Sequence, residues 1–364
     1  MTHINGVSKI GTAYATVLVV SALAGCSGTS GSTTSSSGGA PNGGAPNGGA
    51  PTGGASTTVA PTGGASNGGA SSSANAGGSV ATGGASTVGT GNNAGTTSSP
   101  GCGKVDPPPA CATKGSPCTI SISGTDRQYY FVLPTNYDPN TPYPLVFTWH
   151  GLNGTADQFL PGSFMGGSGG FYGIRSGYPN AIYVTSQGLP AGMNDSGTDY
   201  GWPNTNGRDV AFTKAMIDWF ESNFCVDKKH LFSAGMSFGG MMSNTLGCQM
   251  PDVFRALGVM SGSLFKGFGQ SCVNLPIAAW FTHGTADTTV DISGDVTARD
   301  QFIANNGCDT TNTQTVVMDS NTTCTIYNQC TAGNYPVVWC PVNGEGHTIP
   351  SWAGSEIAKF FLQF

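Results

Sequence analysis

Short apolar runs separated by polar segments recur through the C-terminal part of the chain. Those of strand length occupy residues 145–149, 181–185, 231–234, 256–260 and 277–282. Continuous apolar runs of this length predict strands that are buried on both faces of a sheet. Before them, residues 119–122 and 127–133 flank the turn-like Gly124-Thr125-Asp126, which predicts a β-hairpin at the start of the fold.

Helical patterns lie between these runs. The clearest covers residues 209–224, where apolar side chains recur at helical spacing, and shorter patterns cover 241–247 and 353–362. Strands that alternate with helices predict a mainly parallel central sheet with helices on both faces. The pattern therefore predicts an α/β fold.

The N-terminus has the pattern of an export signal. Residues 10–25 are uncharged and largely apolar, and this run is too short for a stable membrane-spanning helix. It ends in Leu23-Ala24-Gly25-Cys26, which resembles the bacterial lipobox. We expect residues 1–25 to be a lipoprotein signal peptide and Cys26 to carry the lipid, the alternative being a coincidental cysteine after an ordinary signal peptide. The protein would then be a secreted, cell-surface lipoprotein whose contact with the membrane is the N-terminal lipid alone.

Residues 26–103 form a segment of very different composition. Between Ser27 and Gly103 there is no Asp, Glu, Lys or Arg, and Gly-Gly-Ala-Pro-Asn units repeat almost in tandem from Gly38. Such a segment cannot bury enough apolar surface to offset its chain entropy, so we expect a disordered, lipid-anchored tether. Residues 104–364 are long enough for one α/β domain with its own core.

The predicted domain is acidic and rich in cysteine. The domain contains all 19 acidic residues of the chain and 12 of its 13 basic residues, since Lys9 lies outside it. This excess of negative charge argues against nucleic acid as a partner. Ten cysteines follow Cys26 in an exported chain, and disulfides are the expected state. Cys308, Cys324, Cys330 and Cys340 lie near enough in sequence to staple one region. No cysteine and histidine spacing typical of zinc sites occurs.

A nucleophile motif follows one of the apolar runs. Gly235-Met236-Ser237-Phe238-Gly239 fits Gly-x-Ser-x-Gly and stands between a predicted strand and a predicted helix, as a nucleophile elbow requires. The alternative is an ordinary glycine-rich β-to-α turn. We interpret the motif as an elbow, which makes the fold an α/β-hydrolase and Ser237 its nucleophile.

A serine nucleophile needs a histidine base, and the base needs an acid. In α/β-hydrolases the chain order is serine, acid, histidine, which leaves His283 and His347 as bases. His283 ends an apolar strand with no room for a preceding acid, so His347 is the predicted base. Asp287, which follows the 277–282 run by a short loop, is the predicted acid, with Asp291 as the alternative.

Backbone donors and aromatic side chains complete the predicted site. The oxyanion hole is assigned to the N–H groups of Phe238 and Leu152, with Gly151 as the alternative to Leu152, and His150 is interpreted as a residue that organises this loop. Trp202 and Trp352 are predicted to bind substrate, with burial as the alternative for Trp202. No metal or organic cofactor is expected, because serine, imidazole and backbone donors supply the chemistry.

From about Gly101 to its end the chain resembles the secreted feruloyl esterases and the related polyhydroxybutyrate depolymerases and acetylxylan esterases. The segments that carry the resemblance are the elbow, Cys102-Gly103-Lys104, residues 145–154, Tyr172-Gly173, Gly188-Leu189, Gly201-Trp202 with Asn204, Gly207-Arg208-Asp209, Cys225-Val226-Asp227, residues 252–256, His283-Gly284 with Asp287, and residues 305–308. In that family the positions of Ser237, Asp287 and His347 are the nucleophile, acid and base.

The resemblance implies an esterase that releases ferulate or a related acid from plant cell-wall polysaccharide. Two departures leave the acyl group open: Gly151 stands where many feruloyl esterases have a bulky aromatic, and Gly346-His347-Thr348-Ile349-Pro350 replaces an Asp-His-Thr-Pro loop. The Gly-x-Gly-His motif is more similar to that of the depolymerases. Hydrolysis of a polyester or of acetylxylan is therefore the alternative, and a non-catalytic surface binding module is a third reading.

Overall fold

The computed structural model describes residues 97–163, 165, 169–190, 199–264 and 272–364. The predicted signal peptide, the lipid site at Cys26 and nearly all of the predicted tether lie outside the described residues. Within the described ranges no helix is long and apolar enough to cross a membrane.

Ten strands form one large sheet. The strands are β1 (Cys118–Ile122), β2 (Thr125–Val132), β3 (Tyr143–Trp149), β4 (Ile182–Ser186), β7 (Val226–Met236), β8 (Ala256–Met260), β9 (Ala278–Gly284), β10 (Gln314–Val317), β11 (Thr323–Tyr327) and β12 (Val337–Val342). Two short strands, β5 (Leu189–Pro190) and β6 (Tyr200–Gly201), make a separate ribbon. The sheet order is β1-β2-β4-β3-β7-β8-β9-β12-β11-β10.

The centre of this sheet is parallel and its two ends are antiparallel. The six strands from β4 to β12 in the sheet order run parallel to their neighbours. The β1–β2 hairpin at one end and the β10–β11 hairpin at the other pair antiparallel. The predicted mainly parallel sheet is confirmed, and each end closes with a hairpin.

Helices cover both faces of the sheet. They are α1 (Ile174–Gly177), α2 (Arg208–Asn223), α3 (Phe238–Gln249), α4 (Ser293–Asn306) and α5 (Ala353–Phe361). Alternate side chains of β3 separate the two cores: Leu145, Phe147 and Trp149 pack with α2, α3 and α4, whereas Val146 packs in the core that includes α1 and α5. The arrangement predicted from the alternation of strands and helices is confirmed.

The predicted elements match the observed ones closely where a run is apolar. Each of the five apolar runs coincides with a strand to within two residues at its start, except that β7 begins five residues earlier than its apolar run because the polar residues 227–230 belong to the strand. Seven of the helices and strands named above were not predicted: α1, α4, β5, β6, β10, β11 and β12. The residues of β10 are all exposed, so this strand has no apolar run to mark it.

Five disulfides link all ten cysteines after Cys26. The pairs are Cys102–Cys225, Cys111–Cys118, Cys248–Cys272, Cys308–Cys330 and Cys324–Cys340. The last two staple the region that the spacing predicted. Cys102–Cys225 and a β-bridge from Ser98 to Asp227 attach the chain to the domain ahead of residue 104, where the domain was predicted to begin.

Removing the Cys102–Cys225 bond by serine substitution should cost more stability than removing Cys111–Cys118. The first bond spans 123 residues and the second spans 7, so loop-closure entropy predicts losses of about 5 and about 2 kcal/mol. Urea unfolding of the two double variants measures both values. Equal losses would mean that native-state packing, and not loop closure, sets these contributions.

Candidate active site

Ser237 lies at a strained turn between β7 and α3. Its backbone angles are φ 58° and ψ −123°, a region that L residues rarely occupy. The flanking glycines permit this turn: a Cβ at Gly235 would lie 2.3 Å from backbone atoms of Gly239, and a Cβ at Gly239 would lie 2.0 Å from the Trp149 carbonyl oxygen. The structure therefore has the elbow geometry that the motif predicted.

The loop after β3 lies against this serine. A Cβ at Gly151 would be 3.5 Å from the Ser237 Cβ and 3.9 Å from its Oγ, so the backbone of this loop passes close to the hydroxyl. Leu152 is 40% exposed and lines the same cavities as Ser237. Phe238 is the first residue of α3 and lines one of those cavities. Both predicted oxyanion donors thus belong to segments beside Ser237.

His150 organises this loop, as the sequence predicted. The fully buried imidazole donates from Nδ1 to the Gly151 carbonyl at 2.6 Å and accepts the Gly188 N–H at Nε2 at 2.9 Å. Burial lowers the pKa of His150 to about 4, so the ring is neutral near neutral pH. A neutral ring that donates at one nitrogen and accepts at the other fixes the loop.

Tyr172 joins the loop to the elbow and was not predicted as a site residue. Its hydroxyl donates to the Trp149 carbonyl at 2.6 Å and accepts the Met236 N–H at 3.3 Å. Burial raises its pKa, so the hydroxyl keeps its proton. The family resemblance at Tyr172-Gly173 was the signal in the sequence that pointed to this position.

His347 and Asp287 meet at the carboxyl edge of the sheet. His347 Nδ1 lies 2.6 Å from Asp287 Oδ2, and the Thr289 and Val290 N–H groups donate to Asp287 Oδ1 at 2.8 and 2.9 Å. Burial raises the pKa of Asp287, but the His347 and backbone hydrogen bonds outweigh burial and leave that pKa below its ordinary value. Asp291, the alternative acid, is exposed and accepts the Ser293 N–H.

The loops that carry this pair are bound to each other. Strands β9 and β12 are parallel neighbours, with Val342 opposite Gly284. Beyond them the Thr285 N–H donates to the Val342 carbonyl at 3.0 Å, and the Ala286 N–H donates to the Glu345 carbonyl at 2.8 Å. These backbone bonds hold the acid and base loops side by side.

His283 also contacts the acid, which the sequence did not predict. This histidine is 1% exposed, and its Nε2 lies 3.3 Å from Asp287 Oδ2 and 2.9 Å from the Val290 carbonyl oxygen. Its Nδ1 lies 2.8 Å from Oδ2 of the fully buried Asp295. The exclusion of His283 as the base agrees with this burial, since both nitrogens already face acceptors.

In the part of the chain that the structure describes, Ser237 lines two neighbouring cavities. One, of about 390 Å³, is lined by Gly151, Asn153, Gly154, Gln158, Phe159, Met165, Tyr172, Met236 and His347. The other, of about 310 Å³, is lined by Phe238, Met241, Ser263, Val290, Asp291, Ser293 and Gly294. Leu152, Ser237 and Thr289 line both. A substrate bound across Ser237 can therefore place one part in each cavity.

The two predicted tryptophans have different surroundings. Trp202 is 2% exposed, packs edge-on against Trp149 and donates its indole N–H to the His150 carbonyl, so it is a core residue beneath the loop and the prediction that it binds substrate is corrected. Trp352 is partly exposed and lines a third cavity, of about 350 Å³, with Asp319, Glu345 and Thr348.

The arrangement is suited to acyl transfer. Ser237 and His347 line one cavity, and the Asp287 carboxylate accepts a hydrogen bond from the His347 imidazole. The loop after β3 and the start of α3 lie beside the serine. Within the described part of the chain, no group of three or more His, Cys, Asp or Glu side chains is placed to hold a metal ion. An elbow serine beside a histidine and acid pair at the edge of a parallel sheet defines an α/β-hydrolase.

Comparison with known proteins gives the family. The family model Esterase, described as "Putative esterase", matches residues 120–342, and the chain belongs to this family. The chain is 33% identical over 259 residues to feruloyl esterase D of Neurospora crassa, covering 70% of this chain and 83% of that protein. It is 34% identical over 272 residues to feruloyl esterase C of Emericella nidulans, covering 73% and 91%.

A solved structure supports the fold. The acetyl xylan esterase from Aspergillus awamori superposes with a TM-score of 0.52 at 19% identity, covering 68% of this chain and 99% of that one. At this identity the likeness concerns the fold alone. Together with the family model, it establishes an α/β-hydrolase fold and a carboxylic ester hydrolase.

Replacing Asp287 by Asn should lower kcat by about 10⁴-fold, because an amide stabilises the wrong imidazole tautomer and cannot stabilise the imidazolium. Asp291→Asn is the matched control in the same loop, and we expect less than about a tenfold change because the Asp291 carboxylate is exposed. Steady-state kinetics on a small ester measure both. A larger loss in the Asp291 variant would reassign the acid.

Proposed function

We propose that this protein is a feruloyl esterase that uses Ser237 as nucleophile, His347 as general base and acid, and Asp287 as the residue that orients His347. The observation that carries the proposal is the 2.6 Å bond from Asp287 to His347 on the wall of the cavity that also exposes Ser237. The identity of 33–34% to feruloyl esterases over more than two thirds of the chain supports the acyl class.

The roles follow from the chemistry of each group. His347 takes the proton of Ser237 as the hydroxyl attacks the ester carbonyl, and the Phe238 and Leu152 N–H groups stabilise the resulting oxyanion. His347 then protonates the leaving alcohol, which departs from the acyl-enzyme. Water repeats the sequence and releases the acid.

The position of His347 assigns the two cavities. A leaving alcohol must lie next to the group that protonates it, so the cavity lined by His347 takes the alcohol. The acyl group then enters the cavity lined by Phe238, Met241 and Val290. Apolar walls suit an aromatic ring, and Ser263 and Ser293 offer hydroxyls to the polar substituents of a feruloyl ring.

The cell-surface location is part of the proposal. Five disulfides suit a protein that folds in an oxidising compartment. We propose that the lipid at Cys26 holds the protein at a membrane surface and that the tether, which ends where Ser98 joins the domain, has an r.m.s. reach on the order of 50 Å and lets the domain contact insoluble substrate.

The Ser237→Ala variant should lose hydrolysis of methyl ferulate, because the substitution removes the hydroxyl that attacks the ester carbonyl. For the wild type, kcat/KM on methyl ferulate should exceed that on hydroxybutyrate oligomers and on acetylated xylan by at least about tenfold, since those acyl groups do not fill an aromatic cavity. Steady-state kinetics on the three substrates test this. A preference for the hydroxybutyrate ester would establish the polyester alternative, and activity retained by Ser237→Ala would remove the assigned nucleophile.

Substitution of Trp352 tests where the leaving alcohol of the substrate binds. Thr348, the neighbour of His347, lines the third cavity with Trp352, whose indole N–H donates to Asp319 Oδ2 at 2.7 Å. If a sugar of the leaving alcohol packs on this ring, Trp352→Ala should lower kcat/KM about tenfold for a feruloylated oligosaccharide and leave methyl ferulate nearly unchanged.

The matched control is Trp352→Phe. Phenylalanine keeps an aromatic face but loses the bond to Asp319, so it should retain most of the activity on the oligosaccharide. Equal losses on both substrates in Trp352→Ala would mean that the residue supports the His347 loop and does not bind sugar.

A further inference from the structure

A second histidine, besides His347, contacts the carboxylate of the catalytic acid. Asp287 Oδ2 is 2.6 Å from His347 Nδ1 and 3.3 Å from His283 Nε2. The side chains of His283 and Asp287 are fully buried, so water does not screen the contact between them. Ester hydrolysis by a serine, histidine and aspartate triad does not need this second imidazole, which leaves its role open.

The hydrogen-bond partners of His283 define its protonation. The Val290 carbonyl oxygen, 2.9 Å from Nε2, can only accept, so Nε2 carries a hydrogen. On the other side Nδ1 faces Asp295 Oδ2 at 2.8 Å. The Gly262 N–H donates to that same oxygen at 2.8 Å, and the Asn244 amide donates to Asp295 Oδ1 at 3.1 Å. Asp295 therefore acts as an acceptor toward Gly262 and Asn244, and the same Oδ2 accepts from His283, so Nδ1 carries a hydrogen as well.

We propose that His283 is a positioning residue, held as an imidazolium by Asp295, which fixes the ionised carboxylate of Asp287 and moderates its effect on His347. The inference rests on the triad proposed above. An imidazolium beside Asp287 offsets part of the carboxylate charge that His347 experiences. The Asp287 carboxylate thereby interacts with two histidines, of which His283 is buried and His347 faces the substrate.

The charges around His283 support this assignment from each packed element. Asp295 faces it from α4, Asp287 from the loop after β9, and Asp291 lies further along that loop and is exposed. Burial lowers the pKa of His283, but the hydrogen bond and charge of Asp295, with smaller contributions from Val290 and Asp287, raise it above its ordinary value overall. His347 is the remaining titratable group on Asp287.

The sign of the effect on His347 follows. A positive charge next to Asp287 repels the positive charge that His347 gains when it takes a proton, so removing the first charge makes the second easier to form. The acid limb of the kcat/KM profile reflects loss of the free base in the free enzyme, and it must therefore move to higher pH.

The test uses the His283→Gln/Asp295→Asn double variant of the full chain, with methyl ferulate or another small ester as substrate. Glutamine can still donate toward Val290, and the second substitution avoids leaving Asp295 buried without a partner. The two substitutions remove opposite charges, but His283 is the one in contact with Asp287, so we expect the acid limb to move up by roughly half a pH unit. Asp300→Asn is the matched control on α4, because Asp300 is exposed and pairs with Arg299, and it should leave the limb in place.

A uniform loss of kcat/KM with an unmoved acid limb would show that His283 only fills space. If the double variant does not fold, ¹⁵N NMR of the wild-type protein decides the matter, because both ring nitrogens of His283 should be protonated at the pH of the activity measurements. An unprotonated His283 nitrogen at that pH overturns the proposal. The NMR readout does not depend on whether Ser237 is the nucleophile, and failure of the triad assignment is recognised separately by the Ser237→Ala variant.

Discussion

The contact of Gly239 with the Trp149 carbonyl is the constraint on which the active site depends. No side chain can occupy that space, because a Cβ would lie 2.0 Å from the carbonyl oxygen. The close approach lets α3 begin directly over the end of β3, so the turn between β7 and α3 must be sharp. The positive φ of Ser237 is the consequence, and it costs on the order of 1–3 kcal/mol of local strain.

The same contact fixes the partner loop. Trp149 ends β3, and its carbonyl also accepts the Tyr172 hydroxyl, which in turn accepts the Met236 N–H one residue before the nucleophile. His150 follows immediately and holds Gly151 beside Ser237. A single strand end therefore sets the position of both the nucleophile and the loop that faces it, and buried hydrogen bonds keep their separation constant.

The features that the sequence predicted are those that follow from a short stretch of chain or from the order of residues along it. The elbow glycines, the buried strand from Ala256 to Met260 and the pairing of a late histidine with Asp287 follow from steric, hydropathic and chain-order rules. The burial of Trp202 depended on tertiary packing beneath the His150 loop, which no local pattern encodes. The sequence excluded His283 as a base because of its place at a strand end, but its contact with Asp295 required α4, an element without a strong apolar stripe.

The geometry of the acid and base shows why unpredicted strands matter to function. His347 is 60 residues from Asp287 in sequence, and the two meet because β12 pairs parallel with β9 in a register that sets Val342 opposite Gly284. A slip of one residue in this pairing would reverse the faces of β12 and shift the start of the His347 loop by about 3.3 Å, more than the length of the hydrogen bond between His347 and Asp287. The Cys324–Cys340 bond ties β12 to β11 and so restrains that register from the other side. The disulfide-linked edge of the sheet, remote from Ser237 in sequence, is thus part of what holds the catalytic base in place.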